Sequence, residues 1–320
     1  MAGIQEAAPA RGGLLCHGIR WPSSDGVPRL ALGAADGVAD VVLDPGTRLS
    51  FAVAAGRWCL GHTRVRGRRD RTAVECPAAS PAERGHQCGP CFARDETRHM
   101  HDFHRSGSAP AGLRDYLAQE HWLYVASFAN GASKVGTAAA VGKWRRLAEQ
   151  GAVAASYVAL ADDGGAVRIL EDLVTESLGL GQSVRAAAKA GALAGPGGAH
   201  DAVSLAGLNG ELARRVGSFL ERSAEASEVP FSTRAEPWVA PTAAADLLRG
   251  WDARTLHSYP GALDRGAHGF TAASVLGQAL EVRLDGSGDR FLADASVLKG
   301  RRLLFGAHST AVPLLQDALF

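Results

Sequence analysis

Apolar residues fall in short runs over the first sixty positions: LLCHGI, RLAL, VADVVL and RLSFAVAAGRWCL. Gly, Pro and Asp separate these runs, and the pattern predicts β-strands joined by turns. It then stops. Residues 61–110 are polar, rich in Arg and His, and nearly free of apolar runs. Such a segment cannot bury a core of its own, so it is either disordered or held by a metal. AGLRDYLAQE, at 111–120, reads as a short helix.

Regular patterning returns at residue 122. WLYVASF ends at Asn-Gly, and a second run closes on Lys-Val-Gly, which predicts a hairpin over 122–129 and 133–138. A helix follows at about 140–150, a strand at 152–161, a DDGG turn and a helix at about 165–178. Val167, Leu170, Val174 and Leu178 repeat at helical spacing on that last helix and should face a core, with Glu171 beside the stripe. Residues 181–260 read as mostly helical, broken by the links GALAGPGGAH and PWVAPTAAADLL. Strands return at 270–306, where GFTAASVLGQALEVRLD and DRFLADASVLKGRRLLF flank a Gly-Ser-Gly turn. Glycines at strand ends in GAHGF and KGRRLLFG suit a small barrel or a curved sheet.

The fold class this predicts is α+β, a hairpin domain inserted between N- and C-terminal β-rich regions that join into one body. The predicted parts are 1–60, an N-terminal β region; 61–115, a Cys/His/Arg-rich loop; 116–180, the hairpin domain; and 181–320, helices and returning strands. No internal repeat is present. A length of 320 residues suits two or three domains, or one core with an inserted module.

Five cysteines sharpen the reading of the polar loop: Cys16, Cys59, Cys76, Cys88 and Cys91. Cys88-Gly-Pro-Cys91 is a knuckle from which two thiolates reach one ion, and Cys59 and Cys76 complete four sulfur ligands. Thiolates favour zinc over hard cations, and the bound ion would supply the folding free energy that the loop lacks. Three other readings stay open: a redox dithiol, an iron–sulfur centre, or buried thiols without a ligand. CGPC is also a thioredoxin-type tetrapeptide, but that site needs a preceding strand, and SPAERGHQ is not one. His62, His86, His99, His101 and His104 crowd the same loop, and any one of them can replace a cysteine as ligand. Cys16 reads as an ordinary buried thiol. Arg64, Arg66, Arg68, Arg69 and Arg71 lie between two proposed ligands, either contacting phosphate or forming a solvated loop.

A net charge of +1 gives no global attraction to nucleic acid, though local patches are possible. The 46% hydrophobic and 21% charged content is that of a soluble globular protein. The wealth of Ala, Gly and Arg beside few Lys points to a high-GC bacterial genome. No stretch reaches the roughly 18 apolar residues of a membrane span. MAGIQEAAPARGG lacks the basic and apolar segments of a signal peptide, so a cytoplasmic location without membrane contact is expected.

The order strand–strand–helix–strand–helix, with LYV (123–125), KVG (134–136), RRL and Glu171, resembles the GIY-YIG nuclease domain. Lys134 stands where that family usually has its second tyrosine. The resemblance implies metal-dependent phosphodiester hydrolysis of DNA or RNA. Glu171 would hold catalytic Mg²⁺ or Mn²⁺, Arg146 would stabilise the transition state and Tyr124 would help activate water, with Lys134 and Arg145 beside them. The cysteine order, LYVASF…KVG, RRLAEQGA and a closing strand with Gly277, Gln278 and Leu280 together resemble the DUF2797 family of prokaryotic proteins. Two alternatives accompany hydrolysis. One is a nucleic-acid-binding protein without catalysis. The other is an enzyme on a small anionic metabolite, held by Lys134, Arg145 and Arg146. Trp238 and Trp251 either stack on a ligand or pack, and Arg283, Arg290, Arg301 and Arg302 extend a basic surface on this reading.

Overall fold

The computed structural model describes residues 13–22, 26–34, 37–194, 200–224 and 229–313. The first twelve residues, used above to argue against a signal peptide, and the centre of the GALAGPGGAH link lie outside them. The chain opens with β1 (Leu14–Arg20), β2 (Arg29–Ala34), β3 (Gly37–Val42) and β4 (Arg48–Val53). The polar loop holds a hairpin, β5 (His62–Val65) and β6 (Arg71–Val74), and the short helices α1 (Gly89–Arg94) and α2 (Phe103–Ser106). It is therefore not disordered, and the four clustered cysteines lie within it. After α3 (Ala111–Leu117) come β7 (His121–Ser127), β8 (Ser133–Ala139), α4 (Lys143–Gln150), β9 (Ala154–Ala161) and α5 (Gly164–Leu178). Then follow α6 (Ala186–Gly191), α7 (Ala202–Ser223), β10 (Phe231–Pro237) and α8 (Ala245–Asp252). The chain returns to strands with β11 (Leu256–Ser258), β12 (Gly266–Leu276), β13 (Ala279–Arg283), β14 (Arg290–Asp294) and β15 (Arg302–Phe305).

The architecture is mixed α+β with several sheets. Strands from the two ends of the chain form one nine-stranded sheet, ordered β11-β14-β13-β12-β4-β15-β1-β2-β3. The middle of the chain builds a four-stranded sheet, β10-β9-β7-β8. β10 lies in the region the sequence reads as mostly helical. FSTRAEP has too little apolar content to signal a strand, and it forms one by pairing antiparallel with β9 at the sheet edge. No described helix is long and apolar enough to cross a membrane.

β7 explains why WLYVASF does not alternate: every residue of the strand is buried, because both of its faces are covered. Leu123 and Val125 pack with Val167, Leu170 and Val174 of α5 and with Val216 and Leu220 of α7. Trp122, Tyr124 and Ala126 face the other way, into a core shared with Phe51, Phe270 and Phe291 of the large sheet. The two sheets are thus joined by one continuous apolar core.

Two glycines let their backbones touch at that joint. Gly151 ends α4 in the left-handed region at φ +67°, and Gly277 turns between β12 and β13 at φ +62°. A Cβ on Gly277 would lie 2.6 Å from the Gly151 backbone. Beside them the Gln278 side chain donates to the Ile19 carbonyl at 2.8 Å and accepts from the Ile19 amide at 2.9 Å, acting as a strand partner for β1. Trp21 Nε1 donates to the Gly277 carbonyl at 3.0 Å. At the start of α4, Lys143 Nζ lies 4.1 Å from the Trp122 ring centre and 4.5 Å from that of Tyr157, and pairs with Glu236 of β10 at 2.6 Å. Those contacts fix where α4 begins, and so where Arg145 and Arg146 point.

Candidate functional site

The loop after β4 brings Cys59, Cys76, Cys88 and Cys91 together, with their sulfurs all within 4.8 Å of one another. Cys76 Sγ and Cys88 Sγ are 3.8 Å apart. Four thiolates at about 2.3 Å around a tetrahedral ion are separated by about 3.8 Å, so the donor set and its spacing fit zinc. Cys88 caps the N-terminus of α1, which carries Cys91 in its first turn, as a C-x-x-C knuckle requires. The Gly61 amide donates to Cys59 Sγ at 3.3 Å, and Gly61 has no room for a side chain, since a Cβ would sit 1.9 Å from the Val74 carbonyl oxygen. Burial and the neighbouring sulfurs push the Cys91 thiol far up, so the four cannot ionise together without a cation to offset them. Among the described residues, no histidine joins this group.

Carboxylates tie the rest of the loop to the sulfur group. Asp95 accepts from Gln87 Nε2 at 2.6 Å and from the Thr63 amide at 3.3 Å, and Glu96 accepts from the Val65 amide at 2.6 Å. These bonds set the β5–β6 hairpin against the segment following α1. His104 and Arg105 of α2 reach Asp172 of α5 at 3.0 and 2.6 Å, which fastens the loop to the inserted sheet.

A cleft of about 940 Å³ lies between the loop and that sheet. Arg68, Arg69 and Arg71 line one side of it, and Arg145, Arg146 and Arg168 come from α4 and α5. Arg20, at the end of β1, completes a set of seven arginines. Against them stand two carboxylates, Asp40 and Glu149. Arg145 and Arg146 are both exposed; Arg145 pairs with Glu149 at 3.7 Å, and Arg146 acts on the buried Tyr124 described next. His101 and His121 also line the cleft, and burial pushes both imidazoles below their usual range.

Tyr124, Lys134, Arg146 and Glu171 converge beside this cleft. Tyr124 is fully buried and faces Gly136 across the hairpin. Its ring lies over that glycine so closely that a Cβ there would be 2.5 Å from the hydroxyl. The Tyr124 hydroxyl accepts a hydrogen bond of 2.8 Å from Gln150 Nε2. Lys134 Nζ sits 5.7 Å from the Tyr124 ring centre and donates to the Gln182 carbonyl at 3.4 Å. Burial and the positive charge of Arg146 bring Lys134 down to about 8. Glu171 is 3% exposed, and its carboxylate accepts from Arg168 at 2.5 Å. Burial pushes the Glu171 carboxyl up, opposed by Arg168 and Lys134. Arg146 and Arg168 also line the cleft, so they link it to this cluster.

Three participants escape the sequence reading. Gln150 lies in RRLAEQGA, but no role is read for it there. Arg168, three residues before Glu171, pairs with it and also lines the cleft. Lys189 lies in the featureless RAAAKAG of α6. It donates to the Gln150 carbonyl at 2.8 Å, and burial with repulsion from Lys134 and Arg146 brings it down to about 8. Its one signal is rarity, since only four of the 34 basic residues are lysines.

Other candidates are structural. Trp238 and Trp251 are buried, and their indoles donate to the carbonyls of Trp144 and Ala192. Arg290 pairs with buried Glu281, Arg301 with Asp264, and Arg302 lies over the Trp58 ring, so these three do not extend the basic cleft. The chain matches no protein-family model, no curated protein and no solved structure.

Proposed function

We propose that the protein binds nucleic acid through its arginine cleft, on an inserted GIY-YIG-like domain of the DUF2797 type. One observation carries this reading: seven arginines from β1, the β5–β6 hairpin, α4 and α5 line one cleft against two carboxylates. Guanidinium groups bind phosphate oxygens with directed, charge-assisted hydrogen bonds, and several along one groove follow a phosphodiester backbone. The net charge of +1 makes this concentration a local feature, not a consequence of a basic chain.

Phosphodiester hydrolysis is the second reading, favoured by the meeting of Tyr124, Arg146 and Glu171 at the cleft. Catalytic Mg²⁺ or Mn²⁺ does not fit the site in this arrangement. Glu171 is buried, its carboxylate is engaged by Arg168, and it belongs to no group of three His, Cys, Asp or Glu side chains placed to hold an ion among the described residues. No catalytic step is therefore assigned to such an ion.

The test compares zinc-loaded wild type with Glu171→Ala and with Arg69→Ala. Each is incubated with single-stranded, duplex and branched DNA and with RNA, in Mg²⁺ or Mn²⁺. The expected result is salt-dependent binding that Arg69→Ala weakens and Glu171→Ala leaves in place. Cleavage by wild type alone would establish hydrolysis and assign Glu171 to it. Absence of any nucleic-acid affinity would overturn the reading and leave the small anionic metabolite, for which the cleft is also large enough.

A further inference from the structure

Lys134, Lys189 and Arg146 gather around Tyr124 from three different elements, β8, α6 and α4. Lys134 is 8% exposed, and among the described residues its ammonium makes one hydrogen bond, the long 3.4 Å contact with Gln182. An ammonium carries three donors, so this one is under-satisfied for its burial. Lys189 reaches the Gln150 carbonyl at 2.8 Å and lies 4.3 Å from the centre of the Phe128 ring. Gln150 in turn donates to the Tyr124 hydroxyl, so Lys134 lies against that ring directly and Lys189 is linked to it through Gln150.

The charges here do not balance. Arg146 acts on both lysines, and Lys134 acts on Lys189. From α5 come Arg168 and Glu171, which already hold each other. Glu171 also acts on Lys134 and Glu149 on Arg146, but these two carboxylates already pair with Arg168 and Arg145, so positive charge stays in excess around the buried Lys134, which is costly unless a ligand supplies the opposite charge.

We propose that Lys134, Arg146 and Lys189, with the Tyr124 hydroxyl and the Gln150 amide, form a pocket for a phosphomonoester dianion. A phosphodiester carries one negative charge, whereas a monoester carries about 1.5 to 2 near neutral pH, which better matches three cations. Lysine ammoniums are compact donors free to rotate, suited to the three terminal oxygens of a phosphate end. Arg146 belongs to both pocket and cleft, so a strand whose internal phosphates lie on Arg68, Arg69 and Arg71 would bring its terminal phosphate here. The placement of that strand rests on the cleft reading above, while the pocket itself stands on the lysine geometry.

The experiment titrates zinc-loaded, full-length protein with short single strands bearing a 5′-phosphate, a 3′-phosphate or hydroxyls at both ends. Inorganic phosphate and a nucleoside monophosphate are titrated separately. A phosphorylated end is expected to bind about tenfold tighter than the hydroxyl strand, and inorganic phosphate to erase that preference. Lys189→Met and Lys134→Met should each reduce the preference, and Lys189→Arg should retain it. The preference should be greatest near pH 7, where the monoester is mostly a dianion and the ammonium groups are protonated, and fall toward pH 10 as they lose their protons. Equal binding of all strands, unaffected by inorganic phosphate, would overturn the pocket and leave the cleft reading standing. Binding of phosphate or monophosphate without any strand would support the pocket and overturn the cleft reading. Binding of none would overturn both.

Discussion

Gly136 is the position on which the placement of Tyr124 most directly depends. Replacing it with alanine puts a methyl group 2.5 Å from the Tyr124 hydroxyl and from the ring carbon bearing it. β8 is held on one side by seven paired positions with β7, so the backbone has little freedom to withdraw. The ring must leave its rotamer instead, and it loses the 2.8 Å bond from Gln150. Overpacking of this kind costs about 1–3 kcal/mol, and the lost hydrogen bond adds about 1 kcal/mol. Gly136→Ala should therefore destabilise by about 2–4 kcal/mol, read from urea unfolding of zinc-loaded protein. Tyr124→Ala alone should cost about 3–5 kcal/mol, because it empties a fully buried ring site. In the double variant the clash has no partner and the new methyl fills part of the cavity. The two effects should then fall short of additivity by about 1–3 kcal/mol. Strict additivity, or a neutral Gly136→Ala, would refute the contact between ring and glycine and with it the derived position of the hydroxyl.

Chelation of zinc, or Cys88→Ser with Cys91→Ser, should release one equivalent of metal by elemental analysis and lower nucleic-acid affinity at least about tenfold, because the hairpin carrying Arg68, Arg69 and Arg71 is held by the sulfur group. Gly277→Ala should lower stability by about 2–4 kcal/mol in the same urea assay, since alanine is strained at φ +62° and its methyl meets the Gly151 backbone at 2.6 Å. Lys134→Met should raise stability by about 1–3 kcal/mol at pH 7, with the gain fading above pH 10. The sign follows from Lys134 standing near 8 in the fold against 10.5 when unfolded: the wild-type fold gains stability as pH rises from 8 to 10.5, and that gain is gone once pH has fallen back to 8.

The elements that could be read from the sequence are those whose apolar runs are long enough to carry a period. WLYVASF, the Val167–Leu178 stripe and the returning strands near 270–306 are of this kind. β10 was hidden because FSTRAEP gains its strand conformation from β9 and not from its own composition. The four cysteines were visible as a spacing, because a knuckle is local chemistry. The arginine cleft was only half visible. Arg68, Arg69 and Arg71 stand out as a run, but Arg20 joins them from a strand end some fifty residues away, and Arg168 reaches the cleft from a helix turn it shares with Glu171. Arg290, Arg301 and Arg302 look equally basic in sequence, yet Glu281, Asp264 and the Trp58 ring engage them in the fold. Which arginines reach the cleft is decided by tertiary placement, which composition does not carry.

Cleft and pocket depend on different supports, and that separation has a consequence for how this protein works. The arginines of the β5–β6 hairpin are positioned by the sulfur group and by Asp95 and Glu96, all inside the polar loop. Lys134, Arg146 and Glu171 are positioned by the inserted sheet and its helices, and Lys189 by α6. The bonds from His104 and Arg105 to Asp172 bridge the two, and Asp172 is the residue next to Glu171. Gln182 extends the bridge: its side chain donates to Asp172 at 2.9 Å while its carbonyl accepts from Lys134. A change in the loop thus has a short physical route to the lysine through one aspartate and one glutamine. Asp172→Asn keeps the size of that aspartate and weakens its hold on Arg105, and it should alter Lys134 without touching zinc content. An unchanged pH profile of binding in Asp172→Asn, with full zinc, would mean that loop and pocket share a wall but not a mechanism.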